Sequence, residues 1–246
     1  MSRPTPAKLQ IALLAGLPLS LALLPFDPEI YRLTLRRGVM VHDWYQVLRQ
    51  FGNLFTWALI ALVFLAADAA RCRRERRPLW APAHPRQGPA ALHRAGLLLL
   101  SAGLSGAVAE AVKLLVGRSR PVPADLPEAA RTLPALAEAP TGWGPFLGPF
   151  EHGPIGLGFP SSHAAVAFAG ATTLALLLPG AGRALLPLAL ACAWTRLAAG
   201  AHSASDVAFG AVLGALAAVT LHRLAHPAPT TPATPDPADA APRTGP

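Results

Sequence analysis

The chain has 246 residues, of which 52% are hydrophobic and only 14% charged, with a formal net charge of +8. A soluble domain of this size carries about 25% charged residues, so the composition excludes an ordinary soluble protein and indicates a multi-pass membrane protein. The excess charge is arginine clustered in loops, which is typical of membrane orientation and not of nucleic-acid binding. Cys72 in an arginine-rich loop and Cys192 in an apolar run predict no disulfide.

Six segments approach the roughly 20 apolar residues that a membrane-spanning helix needs. They predict an all-α bundle of six transmembrane helices at about 9–26, 51–70, 94–113, 162–179, 184–201 and 204–223. Several are short between charges, so we expect a tightly packed, partly tilted bundle. Gly210 and Gly214 are spaced to let the sixth helix approach a neighbour closely.

The two ends of the chain bound this membrane domain, which we assign to residues 1–226. Arg3 and Lys8 precede the first apolar segment as in a signal peptide, but no small-x-small cleavage site follows, which favours a retained anchor. Residues 227–246 contain seven prolines with Thr, Ala and Asp. This tail cannot bury a core and is predicted to be disordered and cytoplasmic.

Arginine placement predicts the orientation of the bundle. The loop over residues 71–94 has seven arginines against one acid and should face the cytoplasm. An even number of helices then puts both termini inside. The end of the third helix, the start of the fourth and the turn between the fifth and sixth fall on the outer face. In a bacterial inner membrane that face is the periplasmic one.

Two loops are predicted to lie on this outer side. Residues 27–50, with Trp44 and Tyr45 among polar residues, are typical of an amphipathic segment at the membrane interface. We expect it to anchor the bundle, and a substrate-guiding role is the alternative. Residues 122–159 form the largest outer loop, which is either a lid, a lipid-facing rim or a plain connector.

Three fixed cations lie at the ends of these outer segments: Lys113, Arg120 and Arg196. Ionised groups at membrane depth are costly and normally mark a function or a partner. Together they suit a phosphate dianion, which the two arginines bind in planar, bidentate fashion. For Lys113 alone, pairing with Glu110 at a helix end is the alternative. Arg118 is expected to be a solvated loop arginine, with a head-group contact as the alternative.

The motif Pro160-Ser161-Ser162-His163 directly precedes an apolar run. A serine there caps the helix N-terminus, and the free amide N–H groups of that terminus form an anion site. We expect Ser161 and Ser162 to combine capping with phosphate binding. Capping alone is the simpler alternative.

Two histidines and a carboxylate complete the set. Asp206 follows His202 by four residues, so the carboxylate can hold one ring nitrogen and leave the other nucleophilic. His202 is then a candidate to attack phosphorus, and His163 to protonate the leaving oxygen and activate water. A two-metal site needs clustered carboxylates, whereas the charge near these motifs is mostly positive. The sequence therefore predicts a metal-independent site without a cofactor.

These motifs resemble those of the type 2 phosphatidic acid phosphatase (PAP2) superfamily, which includes membrane lipid phosphatases and vanadium haloperoxidases. The family pattern is Lys-x6-Arg-Pro, Pro-Ser-Gly-His and Ser-Arg-x5-His-x3-Asp. The first motif matches in full. Ser162 replaces the glycine of the second, and Thr195 replaces the leading serine of the third. Ser162 still offers its backbone N–H and Thr195 keeps a hydroxyl. The resemblance covers roughly residues 50–223.

The resemblance implies that His202 is the nucleophile, Asp206 its orienting partner and His163 the acid for the leaving group. It implies that phosphate is bound by Lys113, Arg120, Ser161, Ser162 and Arg196. The arrangement resembles the bacterial integral-membrane members, whose site opens toward the outer leaflet. Those members act on undecaprenyl diphosphate, phosphatidylglycerophosphate, phosphatidate or lipid A phosphates.

The sequence thus predicts a membrane lipid phosphate phosphatase that works through a phosphohistidine. Its expected partners are the bilayer and a lipid phosphate, with no nucleic acid. A lipid-to-lipid phosphotransferase using the same site is the first alternative, since a lipid hydroxyl can replace water. A non-enzymatic membrane bundle or transporter is the second. Haloperoxidase chemistry belongs to soluble relatives, and the hydrophobic helices argue against it.

Overall fold

The computed structural model describes residues 5–76, 78, 91–121, 156–180 and 182–226. Within these residues the fold is all-α, as predicted, and its β structure is limited to an antiparallel bridge between Ser119 and Leu157. The α-helices in chain order are α1 Pro6–Leu21, α2 Asp27–Thr34, α3 Asp43–Arg49, α4 Leu54–Arg74, α5 Ala91–Val116, α6 Ser162–Leu177, α7 Leu186–Ala198 and α8 Ala204–Ala225. The predicted tail at 227–246 and most of the predicted outer loop, residues 122–155, lie outside the described residues.

Each of the six predicted apolar segments contains a helix, but their lengths differ. Helices α4, α5 and α8 are each long and apolar enough to cross a membrane. Helix α1 and the following segment that ends in α2 are long and apolar enough only when taken together, and the chain bends by 44° between them. Helices α6 and α7 have 16 and 13 residues. At a rise of about 1.5 Å per residue, both are shorter than the roughly 30 Å hydrocarbon layer. Length and composition thus identify three or four spans in the described part of the chain.

Helix α8 packs against α6, α5 and α1, and its glycines allow the closest of these approaches. A Cβ atom on Gly210 would collide with the carbonyl oxygen of Ser161, and one on Gly214 with that of Ala165. The predicted close packing of the sixth helix is therefore confirmed. It brings the start of α8 against the start of α6, where the serine motif lies.

The segment that contains α2 and α3 folds over one end of the bundle. Tyr45 and Val39 are buried against Ala198 and Ala199 at the end of α7. The outward face of the segment stays apolar and exposed, with Val41 82% accessible. The segment therefore has the amphipathic character predicted for it, but its buried face also forms a wall of the site described below.

The bundle has two chemically different ends. The motif end carries the C-termini of α5 and α7 and the N-termini of α6 and α8. The arginine end carries the start of α1, the end of α4, the start of α5 and the end of α8. There Arg94 pairs with Asp68, and Gln10 donates to Thr220 over 2.9 Å. The basic residues at or near the arginine end are Lys8, Arg71, Arg73, Arg74, Arg76, Arg94, Arg183 and Arg223.

Candidate active site

The serine motif lies at the N-terminus of α6. Ser161 is the N-cap residue, and its hydroxyl accepts a hydrogen bond from the Ala164 N–H at 3.5 Å. Its own N–H donates to the carbonyl of Asp206 over 3.0 Å, which links the starts of α6 and α8. Ser161 is fully buried, whereas Ser162 stays partly accessible. The capping role is therefore present, and Ser162 remains available to a ligand.

Lys113 occupies the last turn of α5 and reaches the serine motif. Its Nζ donates to Glu110 Oε1 at 2.6 Å and to Ser162 Oγ at 3.0 Å. The lysine side chain is buried, while that of Glu110 is 60% accessible. The ammonium group of Lys113 therefore contacts Glu110 and the serine motif at the same time.

Arg120 follows α5 in a short connection that pairs with residues 156–158. Its N–H donates to the Gly156 carbonyl at 3.1 Å and its Nε to the Leu157 carbonyl at 2.8 Å. Gly158 donates to the Arg118 carbonyl across the same bridge, and a Cβ there would lie 3.1 Å from the Ser119 oxygen. Burial lowers the pKa of Arg120, although nearby Glu110 and Asp206 act in the opposite sense. The guanidinium stays protonated.

Arg196 lies in the last turn of α7 and is 5% accessible. Its Nη1 donates to the Tyr45 hydroxyl of α3 at 3.2 Å. Its Nε is buried and has no hydrogen-bond partner among the described residues. Because unpaired buried donors are rare in folded proteins, this guanidinium has binding capacity to spare for an anion.

His202 lies in the turn between α7 and α8 and is 1% accessible. Its Nδ1 is 2.8 Å from the Gly158 carbonyl oxygen and 3.7 Å from Asp206 Oδ2. A carbonyl only accepts, so Nδ1 carries the proton and Nε2 keeps its lone pair in the neutral ring. Nε2 is buried and without a hydrogen-bond partner in the described structure. Burial lowers the pKa of His202 to about 4, despite the opposing effect of Asp206.

Asp206 is fully buried in the first turn of α8. Its Oδ2 accepts from the Ser203 N–H at 2.9 Å in a capping box. The expected Asp206–His202 pair is therefore close, but the shorter contact of the imidazole is with Gly158. We conclude that a backbone carbonyl and the carboxylate orient the ring jointly.

Arg118 differs from its expected role as a solvated loop arginine. It is buried, and its Nη1 donates to Asp206 Oδ1 at 2.7 Å and to Ser205 Oγ at 2.8 Å. Its Nη2 donates to Asp27 Oδ2 at 2.8 Å. The physical reason is that two buried carboxylates need a cation. Asp27 lies 91 positions away and no spacing in the sequence connects the two residues.

His163 follows the serines and lies against the backbone of Gly52. A Cβ on Gly52 would lie 2.6 Å from the His163 Cβ, so only glycine fits there. Arg196, Arg49, His202 and Lys113 all interact electrostatically with its ring. His163 therefore belongs to the same cluster. The segment before α4 supplies site residues that the sequence did not reveal, namely Asp27, Tyr45, Arg49 and Gly52.

A small cavity opens beside these groups. Its volume is about 250 Å³, and Lys113, Glu110 and Arg120 line it together with Leu114 and Leu157. The mixture of cations and apolar side chains suits a phosphate attached to a hydrocarbon. In the described part of the chain, no group of three or more His, Cys, Asp or Glu residues is arranged to hold a metal ion.

The comparison with known families agrees with this site. The sequence profile of the PAP2 superfamily matches residues 94–228, more than half of the chain, and the protein belongs to that superfamily. Its members are phosphatases that act on phosphate esters, often of lipids. Membership of this superfamily and the apolar helices together place the protein in the general class of membrane-bound phosphoric ester hydrolases. No match was found among the curated proteins or the solved structures.

Proposed function

We propose that the protein is an integral-membrane phosphatase that releases phosphate from a lipid phosphomonoester or diphosphate through a phosphohistidine. The observation that carries this proposal is the state of His202. Its Nε2 is buried, unprotonated and without a partner among the residues that the structure describes, while its Nδ1 is held by Gly158. A fixed imidazole with a free lone pair beside several cations is what attack on a phosphoryl group requires.

Substrate binding uses the cations of three different elements. Lys113 comes from α5, Arg120 from the connection that follows it, and Arg196 from α7. Preorganised donors of this kind neutralise the charge that develops on the phosphoryl oxygens in the transition state. The N–H groups and the Ser162 hydroxyl at the start of α6 add neutral donors.

The first chemical step forms a bond between His202 Nε2 and phosphorus and breaks the bond from phosphorus to the ester oxygen. The negative charge of the bound phosphate offsets the cations around His163 and favours its protonated form. The departing oxygen takes that proton, so it leaves as a lipid alcohol, or as a lipid monophosphate if the substrate is a diphosphate. As the phosphohistidine forms, the ring becomes cationic. Asp206 at 3.7 Å and the Gly158 carbonyl stabilise that charge.

The second step returns the enzyme to its starting state. His163, now neutral, takes a proton from water, and the water oxygen bonds to phosphorus as the bond to Nε2 breaks. Inorganic phosphate leaves, and His163 is again protonated for the next cycle. The groups that donate to the phosphoryl oxygens are side chains and backbone N–H groups, so this cycle needs no metal or other cofactor.

We further propose that the motif end faces the periplasm and the arginine end the cytoplasm of a bacterial inner membrane. The loop over residues 71–94 supports this orientation, because it has seven arginines against one acid and cytoplasmic loops carry the excess of Lys and Arg. The substrates are then lipids of the outer leaflet, of the undecaprenyl diphosphate, phosphatidylglycerophosphate, phosphatidate or lipid A phosphate type.

The test is phosphate release by the purified protein from a panel of these four lipid classes, with and without EDTA. We expect release from at least one class, unaffected by EDTA, and none from the phosphodiester phosphatidylglycerol. His202→Ala should release no phosphate. Its matched control is His42→Ala, which removes an exposed histidine near the same end of the bundle and should keep full activity. Strong loss with EDTA that Mg²⁺ restores contradicts the metal-free site. Transfer of the phosphoryl group to an added lipid alcohol, with little free phosphate, identifies a phosphotransferase instead.

A further inference from the structure

The arginine end of the bundle contains a second and larger cavity. It lies between the start of α1 and the end of α8, has a volume of about 740 Å³, and opens to the surface. Its described polar lining comes from the N-terminal side, with Thr5 and Gln10, and from the end of α8 and beyond, with Thr220, His222, Arg223 and His226. It is at the opposite end of α8 from Asp206. It is therefore separate from the site described above.

The side chains around this cavity are mainly donors. Arg223 donates to the oxygen of Gln10, whose amide nitrogen donates to Thr220 Oγ1 at 2.9 Å. His222 Nδ1 is buried and has no hydrogen-bond partner among the residues that the structure describes. The described residues that line the cavity include no Asp or Glu. A concave surface with cationic and neutral donors and no carboxylate is built to receive an anion.

Three imidazoles lie in contact with one another at the edge of this cavity. The ring centroids of His222 and His226 are 4.3 Å apart, and His93 of α5 lies 5.2 Å from His226. A cluster of histidines often marks a metal site. These rings are not arranged to share an ion, since no group of metal-binding side chains in the described ranges has that geometry. The Nδ1 of His226 donates to the His222 carbonyl at 2.9 Å, whereas the buried Nδ1 of His222 has no partner among the described residues and can contact an anion.

The surroundings indicate that the anion is attached to a hydrocarbon chain. The cavity lies at the ends of two apolar helices. Leu224, which lines it, is 74% accessible, and Ile11, next to the lining residue Gln10, is 68% accessible. The volume of about 740 Å³ is within the range of sites for whole small molecules. Basic pockets between transmembrane helices at the cytoplasmic surface bind the head groups of anionic lipids.

We propose that this cavity binds the phosphodiester head group of an anionic phospholipid, with Arg223 as the main charge partner. Gln10, Thr220 and the imidazoles of His222 and His226 hold the remaining phosphate and glycerol oxygens. The acyl chains then lie along the exposed apolar face of α1 and α8. The site is a lipid-binding site and not a second catalytic centre, and it does not depend on the function proposed above.

The experiment measures phosphatidylglycerol binding to the full-length protein in nanodiscs of zwitterionic lipid by native mass spectrometry. Arg223→Gln removes the proposed charge partner. Arg183→Gln is the matched control, because it removes an exposed arginine near the same end that does not line the cavity. We expect binding to weaken about tenfold in Arg223→Gln, the effect of losing about 1.4 kcal/mol, and to be unchanged in Arg183→Gln. The denaturation midpoints of both variants in detergent should equal that of the unmodified protein, which shows that they are folded.

Three outcomes overturn the proposal. Equal weakening in both variants means that phosphatidylglycerol responds only to the overall charge of this end. Unchanged binding in Arg223→Gln removes the cavity as the site. Complete displacement of the lipid by millimolar inorganic phosphate means that the cavity takes a free anion and not a lipid. If the unmodified protein shows no phosphatase activity, the proposed function fails, but the lipid-binding measurement can still be interpreted.

Discussion

Arg118 and Asp206 form a buried ion pair, with Nη1 and Oδ1 2.7 Å apart. The same guanidinium pairs with Asp27 at 2.8 Å, so one arginine joins α2, the end of α5 and the start of α8. Asp206 in turn lies beside His202. The orientation of the imidazole therefore depends on a chain of buried charges that begins in the segment preceding the first long helix.

Removing the shared cation should destabilise the protein severely. In Arg118→Met the shape of the side chain is roughly kept, but two buried carboxylates lose their partner. Breaking a buried ion pair from one side costs about 3–5 kcal/mol. We expect a correspondingly large drop in the denaturation midpoint of the detergent-solubilised protein, with loss of activity.

The control for this variant is Arg32→Met, since Arg32 and Glu29 form an ion pair whose side chains are 74% and 62% accessible. Exposed pairs of this kind contribute about 0–1 kcal/mol, so its midpoint should hardly move. Similar small shifts in both variants would show that Arg118 is not the buried centre of the network.

Glu110 competes with substrate for Lys113, and removing its charge should strengthen binding. The Lys113 ammonium is held by Glu110 at 2.6 Å, and the carboxylate also repels a phosphate dianion at the same place. For Glu110→Gln we expect KM to fall by about three- to tenfold with little change in kcat, as when ground-state and transition-state binding change together. Glu29→Gln, an exposed acid on α2, is the control. A raised KM in Glu110→Gln would mean that the carboxylate positions the lysine for catalysis.

Tyr45 should act on turnover through Arg196. Its hydroxyl accepts from Arg196 Nη1 at 3.2 Å, and the ring is almost completely buried. Tyr45→Phe keeps the packing and deletes one hydrogen bond, typically worth about 0.5–1.5 kcal/mol. We expect kcat/KM to fall by about tenfold or less, while Trp44→Phe, which changes the exposed neighbouring ring, leaves it unchanged. An unaltered kcat/KM in Tyr45→Phe would show that Arg196 is positioned without it.

The pH profile should reflect the environment of His202. The neutral ring is the nucleophile, and burial lowers its pKa to about 4. The reactive form is therefore present above that pH and is lost as the pH falls through it. We expect kcat/KM to decline near pH 4, after correction for the second ionisation of the substrate phosphate at about 6. If the corrected kcat/KM instead fell as the pH dropped through about 6.5, the ordinary pKa of histidine, the result would contradict a buried neutral His202.

The residues at helix ends were predictable because short spacings fix their positions. Lys113 and Arg120 bracket the end of α5, and Ser161 caps α6, so the elements alone bring them to one end. Asp27 and Tyr45 were not predictable. Their partners lie 91 and 151 positions away, and only the folding of α2 and α3 over the bundle brings them together.

The lengths of the helices were predicted less well than their existence, and the count of six membrane spans stays a prediction. Hydrophobic runs indicated six similar helices, but α7 has only 13 residues and α1 ends at a 44° bend. Apolar composition does not distinguish helix from an apolar turn, so run length overestimates helix length. The carbonyl of Gly158 as a partner of His202 was also hidden, because backbone acceptors leave no trace in a sequence.

The most direct test of the central claim is the chemical trapping of the intermediate. The purified protein is mixed with a lipid phosphate substrate, quenched within one turnover under alkaline conditions, and digested for mass spectrometry. The account predicts a phosphorylated His202 in the unmodified protein and in His42→Ala, and neither label nor phosphate release in His202→Ala. Phosphate release at the full rate by His202→Ala, or a phosphoryl group on a different residue, would contradict it.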